Sequence, residues 1–208
     1  MRNSLGNGEK MDKKKMIFAT GNAGKLKEIR MIMEDAGYEI LSMKEAGVQA
    51  YIEENGKTYE ENALIKARAV AKMTGELVLA DDSGLEIDSL NKEPGVYSAR
   101  YLGEDTPYSV KNANLISRLE GVPEEERTAR FVCAIAAVLP DGGEITVRAT
   151  VEGRIGYEER GQNGFGYDPI FYLPESGKST AELTEEEKNL ISHRGKALRL
   201  MKEELRKR

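Results

Sequence analysis

Two adjacent carboxylates, Asp81 and Asp82, end a run of four apolar residues, Leu77 to Ala80, and are followed by Ser83 and Gly84. An apolar run of that length reads as a strand buried on both faces, and Leu85-Glu86-Ile87 resumes with period two, so the acids are expected at a strand end. Neighbouring residues of an extended chain point to opposite faces, so the two should differ in role, one turned to a cleft and one holding the loop. A plain polar Asp-Asp-Ser-Gly turn accounts for the same residues with no chemistry. Glu53 and Asp82 are candidate ligands for a hard cation, since Mg2+ takes oxygen donors and is commonly held by one or two carboxylates plus substrate phosphates. Glu54 stands beside Glu53, and no His/Cys cluster competes for a softer metal. Two exposed acids are the ordinary reading of either alone.

Thr20-Gly21-Asn22-Ala23-Gly24-Lys25 lies between an apolar strand, Met16 to Ala19, and a helical pattern. N–H groups at a helix start, glycines that permit close approach and a lysine form a recipe for holding phosphate. The spacing is not that of a Walker A loop, which needs four residues before its Gly-Lys, and an ordinary glycine-rich turn is the alternative. Phe165-Gly166-Tyr167-Asp168 sets aromatics beside a carboxylate, suited to stacking a flat ring and bonding its edge, though core packing explains it nearly as well. The sole histidine, His193, stands next to Arg194 and just past Lys188. Lys66, on a second helical pattern, reads as part of a solvated face.

These residues need elements to position them. Leu26, Ile29, Ile32, Met33 and Ala36 define a first helix ending at Gly37, and Tyr38 to Leu41 return as a strand. Ser42 to Lys57 is a long loop. A capping box, Thr58 with Glu61, opens a second helix that closes at Gly75 and feeds the Asp81-Asp82 strand. Thr106 as N-cap with Pro107 at N1 predicts a helix to about Leu119. Ala129 to Leu139 and Glu144 to Val151 form a hairpin about Pro140 to Gly143, which implies a second, β-rich lobe. A last helix starts at the Thr184…Glu187 box, with an interruption expected at Gly195. Strands alternating with helices, then hairpins, predict an α/β fold: a mixed central sheet flanked by helices, two lobes with the cleft between them. Residues 1–15 read as a flexible tail and 16–208 as one domain.

Of 208 residues, 39% are hydrophobic and 32% charged, with a net charge of −5, one cysteine and no tryptophan. No basic tract is interleaved with aromatics, so an extended nucleic-acid surface is not indicated. No apolar run is long enough to cross a bilayer and no leader pattern is present, which reads as a cytoplasmic protein. Cys133 sits in the apolar run Phe131 to Ile135 and reads as a buried thiol. Chemistry is left to carboxylates, lysine and arginine.

Taken in order, Thr20 to Lys25, Glu60-Glu61-Asn62-Ala63, Ala80 to Leu85, Pro94 to Arg100, Gly164 to Pro169 and Ser192-His193-Arg194 resemble the inosine triphosphate pyrophosphatase family, the XTP/dITP diphosphatases. The resemblance runs from about residue 16 to the C-terminus. It implies Mg2+-dependent hydrolysis of noncanonical purine nucleoside triphosphates (ITP, dITP, XTP) to monophosphate and pyrophosphate by a homodimer. Carried over by motif, Thr20, Gly21, Asn22, Ala23, Gly24 and Lys25 would bind the triphosphate. Glu53 and Asp82 would hold the metal, with Asp82 also the proton acceptor. Ser83, Phe165, Gly166, Tyr167, Asp168, Lys188, His193 and Arg194 would line the nucleotide pocket. Lys25 with Lys188 would stabilise the leaving pyrophosphate, and Arg194, being donor-only, would favour a 6-oxo over a 6-amino purine. A phosphotransferase and a nucleotide sensor without turnover are the rival readings.

Overall fold

The computed structural model describes residues 14–208. Of the expected tail, residues 1–13 lie outside the described residues, while Lys14 and Lys15 already belong to the first strand. Six strands form one mixed sheet in the order β2-β1-β3-β4-β5-β6. They are β1 Lys14–Phe18, β2 Tyr38–Ser42, β3 Leu77–Ile87, β4 Thr128–Val138, β5 Glu144–Ile155 and β6 Phe171–Tyr172. β1 runs parallel to β2 and β3, and every later pairing is antiparallel. The helices are α1 Ala23–Met33, α2 Tyr59–Thr74, α3 Tyr108–Arg118, α4 Glu185–Ile191 and α5 His193–Arg206. The expected fold class therefore holds. The hairpin β4–β5 does not build a separate sheet, because β4 pairs with β3 along ten consecutive residues.

β3 is unbroken from Leu77 to Ile87, which corrects the expectation that the strand ends at Asp81 and Asp82, and equally the alternative of a polar turn there. One of its faces reads Leu77, Leu79, Asp81, Ser83, Leu85, Ile87. Leu77 and Leu79 pack with Met16, Phe18 and Ile135 under α1 and α5, whereas Leu85 and Ile87 pack with Leu115, Phe131 and Phe171 beside α3. Each buried side chain of this size contributes about 1.5–3 kcal/mol. The strand is thus anchored by an apolar core at either end, and the polar pair falls in the gap between them. On the opposite face Val78 and Ala80 pack with Ala63, Ala67 and Val70 of α2.

Other boundaries shift for local reasons. α1 stops at Met33, before Gly37, and α3 has Pro107 at the N-cap, with the Thr106 hydroxyl donating to Leu102 O instead of capping. Thr58 caps α2 by accepting from Glu61 N–H, while the Glu61 carboxylate accepts from Lys57 N–H, so the box is only half formed. The Thr184–Glu187 box is complete. The final helix breaks at Ser192, not at Gly195: Ser192 is extended, its hydroxyl caps α5 through Gly195 N–H at 2.9 Å, and a Cβ at Gly195 would strike Asn189 O. That break puts His193 and Arg194 in the first turn of α5.

Candidate active site

β1 pairs with β3 only as far as Leu79, so beyond that point the edge of β3 is open and side chains from both sheet faces can reach it. A cavity of about 340 Å3 lies there. It is lined by Thr20, Gly21, Asn22 and Lys25, by Asp81 and Ser83, by Glu54 and Lys66, and by Phe165 to Asp168 with Lys188, His193 and Arg194. Asn22 caps α1, its Oδ1 accepting from Lys25 N–H at 3.0 Å. The N–H groups of Ala23 and Gly24, in the first helical turn, then have no intrahelical acceptor. Gly24 also joins the turn to the aromatic loop, since a Cβ there would stand 3.3 Å from Phe165 Cδ1.

Asp81 and Asp82 face opposite ways, as their adjacency requires. Asp81, with 1% of its side chain exposed, accepts from Lys25 Nζ at 2.9 Å and from Arg194 Nε at 3.3 Å. Burial alone would raise its pKa, but Lys25, Arg194 and Lys66 outweigh burial and hold the carboxyl below the ordinary range. Asp82 lies on the α2 side. Its Oδ2 accepts from Asn62 Nδ2 at 3.0 Å and its Oδ1 from Ser83 N–H at 3.0 Å. Lys66 Nζ is 4.0 Å from Oδ1, and 12% of the Asp82 side chain is exposed. Here burial wins over Lys66 and Asn62, and the pKa is raised.

Lys66 is not on a solvated face. Its side chain is 13% exposed, it lines the cavity, and it donates to Glu54 Oε2 at 2.9 Å. Burial would lower its pKa, yet the carboxylates of Asp81, Asp82 and Glu54 keep it raised and the ammonium charged. Of the expected ligands Glu53 is exposed and does not line the cavity, and Asp82 does not line it either; Glu54 does, and Lys66 links Glu54 to Asp82. Among the described residues no three His, Cys, Asp or Glu side chains gather closely enough to hold a metal alone. Glu54 and Asp82, sharing one ammonium, nevertheless make a hard oxygen donor pair of the kind Mg2+ uses when phosphate and water complete its shell.

On the other side of the cavity the residues form a buried ion cluster. Arg194, 2% exposed, donates through Nη1 to Glu28 at 2.6 Å, through Nη2 to Ser83 Oγ at 3.1 Å and through Nε to Asp81. Lys188 donates to Asp168 Oδ2 at 2.7 Å and to Glu28 Oε1 at 3.2 Å, with its ammonium 4.6 Å from the Phe165 ring centroid. Asp168 is not the free edge-reading carboxylate expected: it also accepts from Phe165 N–H and the Thr180 hydroxyl, and so holds the loop. Gly164, at φ +74, makes room for it, because a Cβ there would strike Asp168 Oδ2. Tyr167 is buried, with its hydroxyl on Ser98 O. His193 stacks on Phe131 at 4.8 Å between centroids. Burial, reinforced by Arg194 and Lys188, lowers its pKa well below 6.5, so the imidazole is neutral.

Sequence reasoning missed Glu28. The signal was present: it falls three residues after Lys25 and beside Ile29, on the inward stripe of α1, where an unpaired carboxylate would be costly. Cys133, fully buried under the cluster, has its thiol pushed up to about 12 by burial and is no nucleophile.

Residues 16–204 match the model of the Ham1 family. The chain belongs to the Ham1 family. It is 51% identical over 186 residues, 89% of its length and 94% of the other's, to the dITP/XTP pyrophosphatase of Bacillus subtilis (strain 168). It is likewise 51% identical to that of Desulforamulus reducens, over 89% of this chain and 92% of the relative. Among solved structures, a HAM1 protein from Coxiella burnetii superposes with a TM-score of 0.85 at 40% identity, covering 94% of this chain and 100% of that one. The Staphylococcus aureus Ham1 protein gives 0.83 at 41% identity, covering 93% and 98%. The Ham1 match begins where the motif resemblance does, at residue 16, and the superposition bears out the sheet-and-helix architecture read from the alternation of elements.

Proposed function

We propose that this Ham1-family chain hydrolyses noncanonical purine nucleoside triphosphates, ITP, dITP and XTP, to the monophosphate and pyrophosphate, clearing them from the nucleotide pool. One observation carries the reading: a single cavity joins the N-terminal turn of α1, Glu54 with Lys66, whose ammonium stands 4.0 Å from Asp82, and an aromatic loop beside Lys188, His193 and Arg194. The activity named for the similar proteins of Bacillus subtilis and Desulforamulus reducens supports it.

In this reading the phosphates lie against the free N–H groups of Ala23 and Gly24, with Lys25 adding charge. Asp82, held by Asn62 with a raised pKa, takes a proton from the attacking water. The water oxygen bonds to the α-phosphorus, and the bond from that phosphorus to the α,β-bridging oxygen breaks. Pyrophosphate leaves beside Lys66 and Lys25. Lys66, which touches Asp82 and Glu54, takes the role the sequence had suggested for Lys188, which instead sits at the aromatic loop. Glu54 and Asp82 would hold Mg2+, which supplies a Lewis acid for phosphoryl oxygens.

Phe165 offers a ring face to the base. Arg194 and neutral His193 border that side, and three contacts of Arg194 leave two of its five N–H directions for a 6-oxo group. The homodimer implied by the resemblance and the cytoplasmic setting read from the sequence are part of the proposal. Tyr97, Leu102 and Val110, exposed between β3 and α3 and on α3, are apolar side chains available to a second copy. No described helix is long and apolar enough to cross a membrane. A triphosphate panel assayed with Mg2+ tests the reading: ITP, dITP and XTP should release pyrophosphate well ahead of ATP. IDP or free phosphate as first product would defeat it.

A further inference from the structure

Asn62 is fully buried on α2 and does not line the cavity, yet it bonds Asp82 on one side and the loop that carries Glu54 on the other. Its Nδ2 donates to Asp82 Oδ2 at 3.0 Å, and its Oδ1 accepts from Gly56 N–H at 2.8 Å. One planar amide therefore links the carboxylate of Asp82 to the chain two residues past Glu54. With Oδ2 engaged by Asn62, it is Oδ1 that faces Lys66 Nζ at 4.0 Å, and Glu54 meets the same ammonium at 2.9 Å. Lys57 N–H to Glu61 and Arg100 to Glu54 O also hold this stretch of loop, but neither bond touches Asp82. Lys66 does touch both acids, through a long flexible side chain. Asn62 touches Asp82 itself and, on the other side, the backbone of Gly56 two residues past Glu54, through a short side chain on a helix.

We infer that Asn62 is a positioning residue that sets the separation and orientation of Glu54 and Asp82, donating to one acid and accepting from the loop that carries the other. The inference rests on the pyrophosphatase reading of the cavity. The residue type is demanding: the site needs a donor and an acceptor at the end of one rigid plane, which a primary amide provides. Aspartate would set carboxylate against carboxylate, and leucine would leave Asp82 and Gly56 N–H without their partner. The loop side is equally tight. A Cβ at Gly56 would stand 2.7 Å from Asn62 Oδ1 and 2.8 Å from Glu61 Cβ, so alanine at Gly56 pushes on the same amide.

The test compares Asn62→Ser, Gly56→Ala and the double variant in ITP hydrolysis, in unfolding midpoint, and in Mn2+ affinity measured by electron paramagnetic resonance with a non-hydrolysable α,β-imido ITP analogue. Misplacement of about 1 Å at a reacting centre costs on the order of 100-fold, and kcat of Asn62→Ser should fall by about that factor with KM for ITP unchanged. Mn2+ affinity should weaken in both single variants. In the Asn62→Ser background the part of the Gly56→Ala effect that passes through the amide is gone, so the two losses should be less than additive. Unchanged kcat and Mn2+ affinity with only a lower unfolding midpoint would make Asn62 merely structural and overturn the inference. Fully additive losses would also overturn it, by showing that Gly56 acts through Glu61. Should Asn62→Ser not fold, the isosteric Asn62→Asp, which keeps an acceptor for Gly56 N–H but loses the donor to Asp82, takes its place, and unchanged kcat and Mn2+ affinity in it would overturn the inference. Failure of the wild-type protein to release pyrophosphate would defeat the functional reading, and the Mn2+ affinities would still judge the role of Asn62.

Discussion

Asp81 and Asp82 are the same residue type, adjacent on one strand and both nearly buried, yet the fold treats them in opposite ways. Asp81 enters a cluster in which Lys25 and Arg194 surround it, and its ionised form is favoured. Asp82 turns to α2, where an amide and a more distant ammonium leave its charge under-compensated, and its ionised form is disfavoured. Burial is common to both, so it cannot be the difference. What separates them is the number and closeness of cations on each face of β3. One acid is matched to its surroundings and holds elements together, and the other is the one to which the proposed reaction gives the proton.

The comparison predicts opposite responses to the same substitution. Asp81→Asn leaves Lys25 and Arg194 short of a buried counterion and should cost about 3–5 kcal/mol of stability, read from denaturant unfolding. The sign is that of a depressed carboxyl: its contribution is present above the unfolded pKa of ~3.9 and is lost as pH falls through the lower folded value. Asp82→Asn should instead lower kcat by about 10²- to 10⁴-fold, the range for a lost general base, while ITP still binds. Since the folded pKa of Asp82 is raised, its ionised form costs stability as pH rises through that value, so this variant should unfold no earlier than the wild type near neutral pH. Equal destabilisation by the two substitutions would erase the distinction drawn here.

A second pair of neighbours sharpens it. Glu54→Gln should raise the Mg2+ concentration needed for half-maximal turnover, whereas Glu53→Gln, at an exposed position outside the cavity, should leave turnover and metal dependence unchanged. The smallest effect expected is on pH. With its folded pKa lowered, His193 contributes stability that is present above the unfolded value of ~6.5 and lost below it, at up to about 1.4 kcal/mol per pH unit. His193→Gln should flatten that slope in unfolding experiments between neutral and mildly acidic pH.

What the chain reveals of itself follows from the range of the forces involved. Strands β1, β3, β4 and β5 and helices α1 and α2 were legible because local periodicity and caps specify them, as with Thr58 and Gly75 on α2. The continuity of β3 was not. Two adjacent aspartates argue against a strand interior, and the cations that permit one, Lys25, Lys66 and Arg194, come from three helices distant in sequence. Lys66 was misread for a related reason: a lysine on a helix face is ordinarily solvated, and only its carboxylate partners on β3 and in the Glu54 loop reveal otherwise. Glu28 carried a local clue, an acid on an apolar stripe, but its partners Lys188 and Arg194 are more than 150 residues away. The motifs gathered at the cavity could be named from their order, while which oxygen faces which cation could not.

The central claim is that water attacks the innermost phosphorus of a purine nucleoside triphosphate in the cavity at the open edge of β3. Hydrolysis of ITP in 18O-enriched water, with mass analysis of both products, tests it directly. The label should appear in the phosphate of IMP, and Asp82→Asn should suppress its appearance. Label in pyrophosphate would place the attack on the β-phosphorus, label in free phosphate would place it on the γ-phosphorus, and either result would contradict the account.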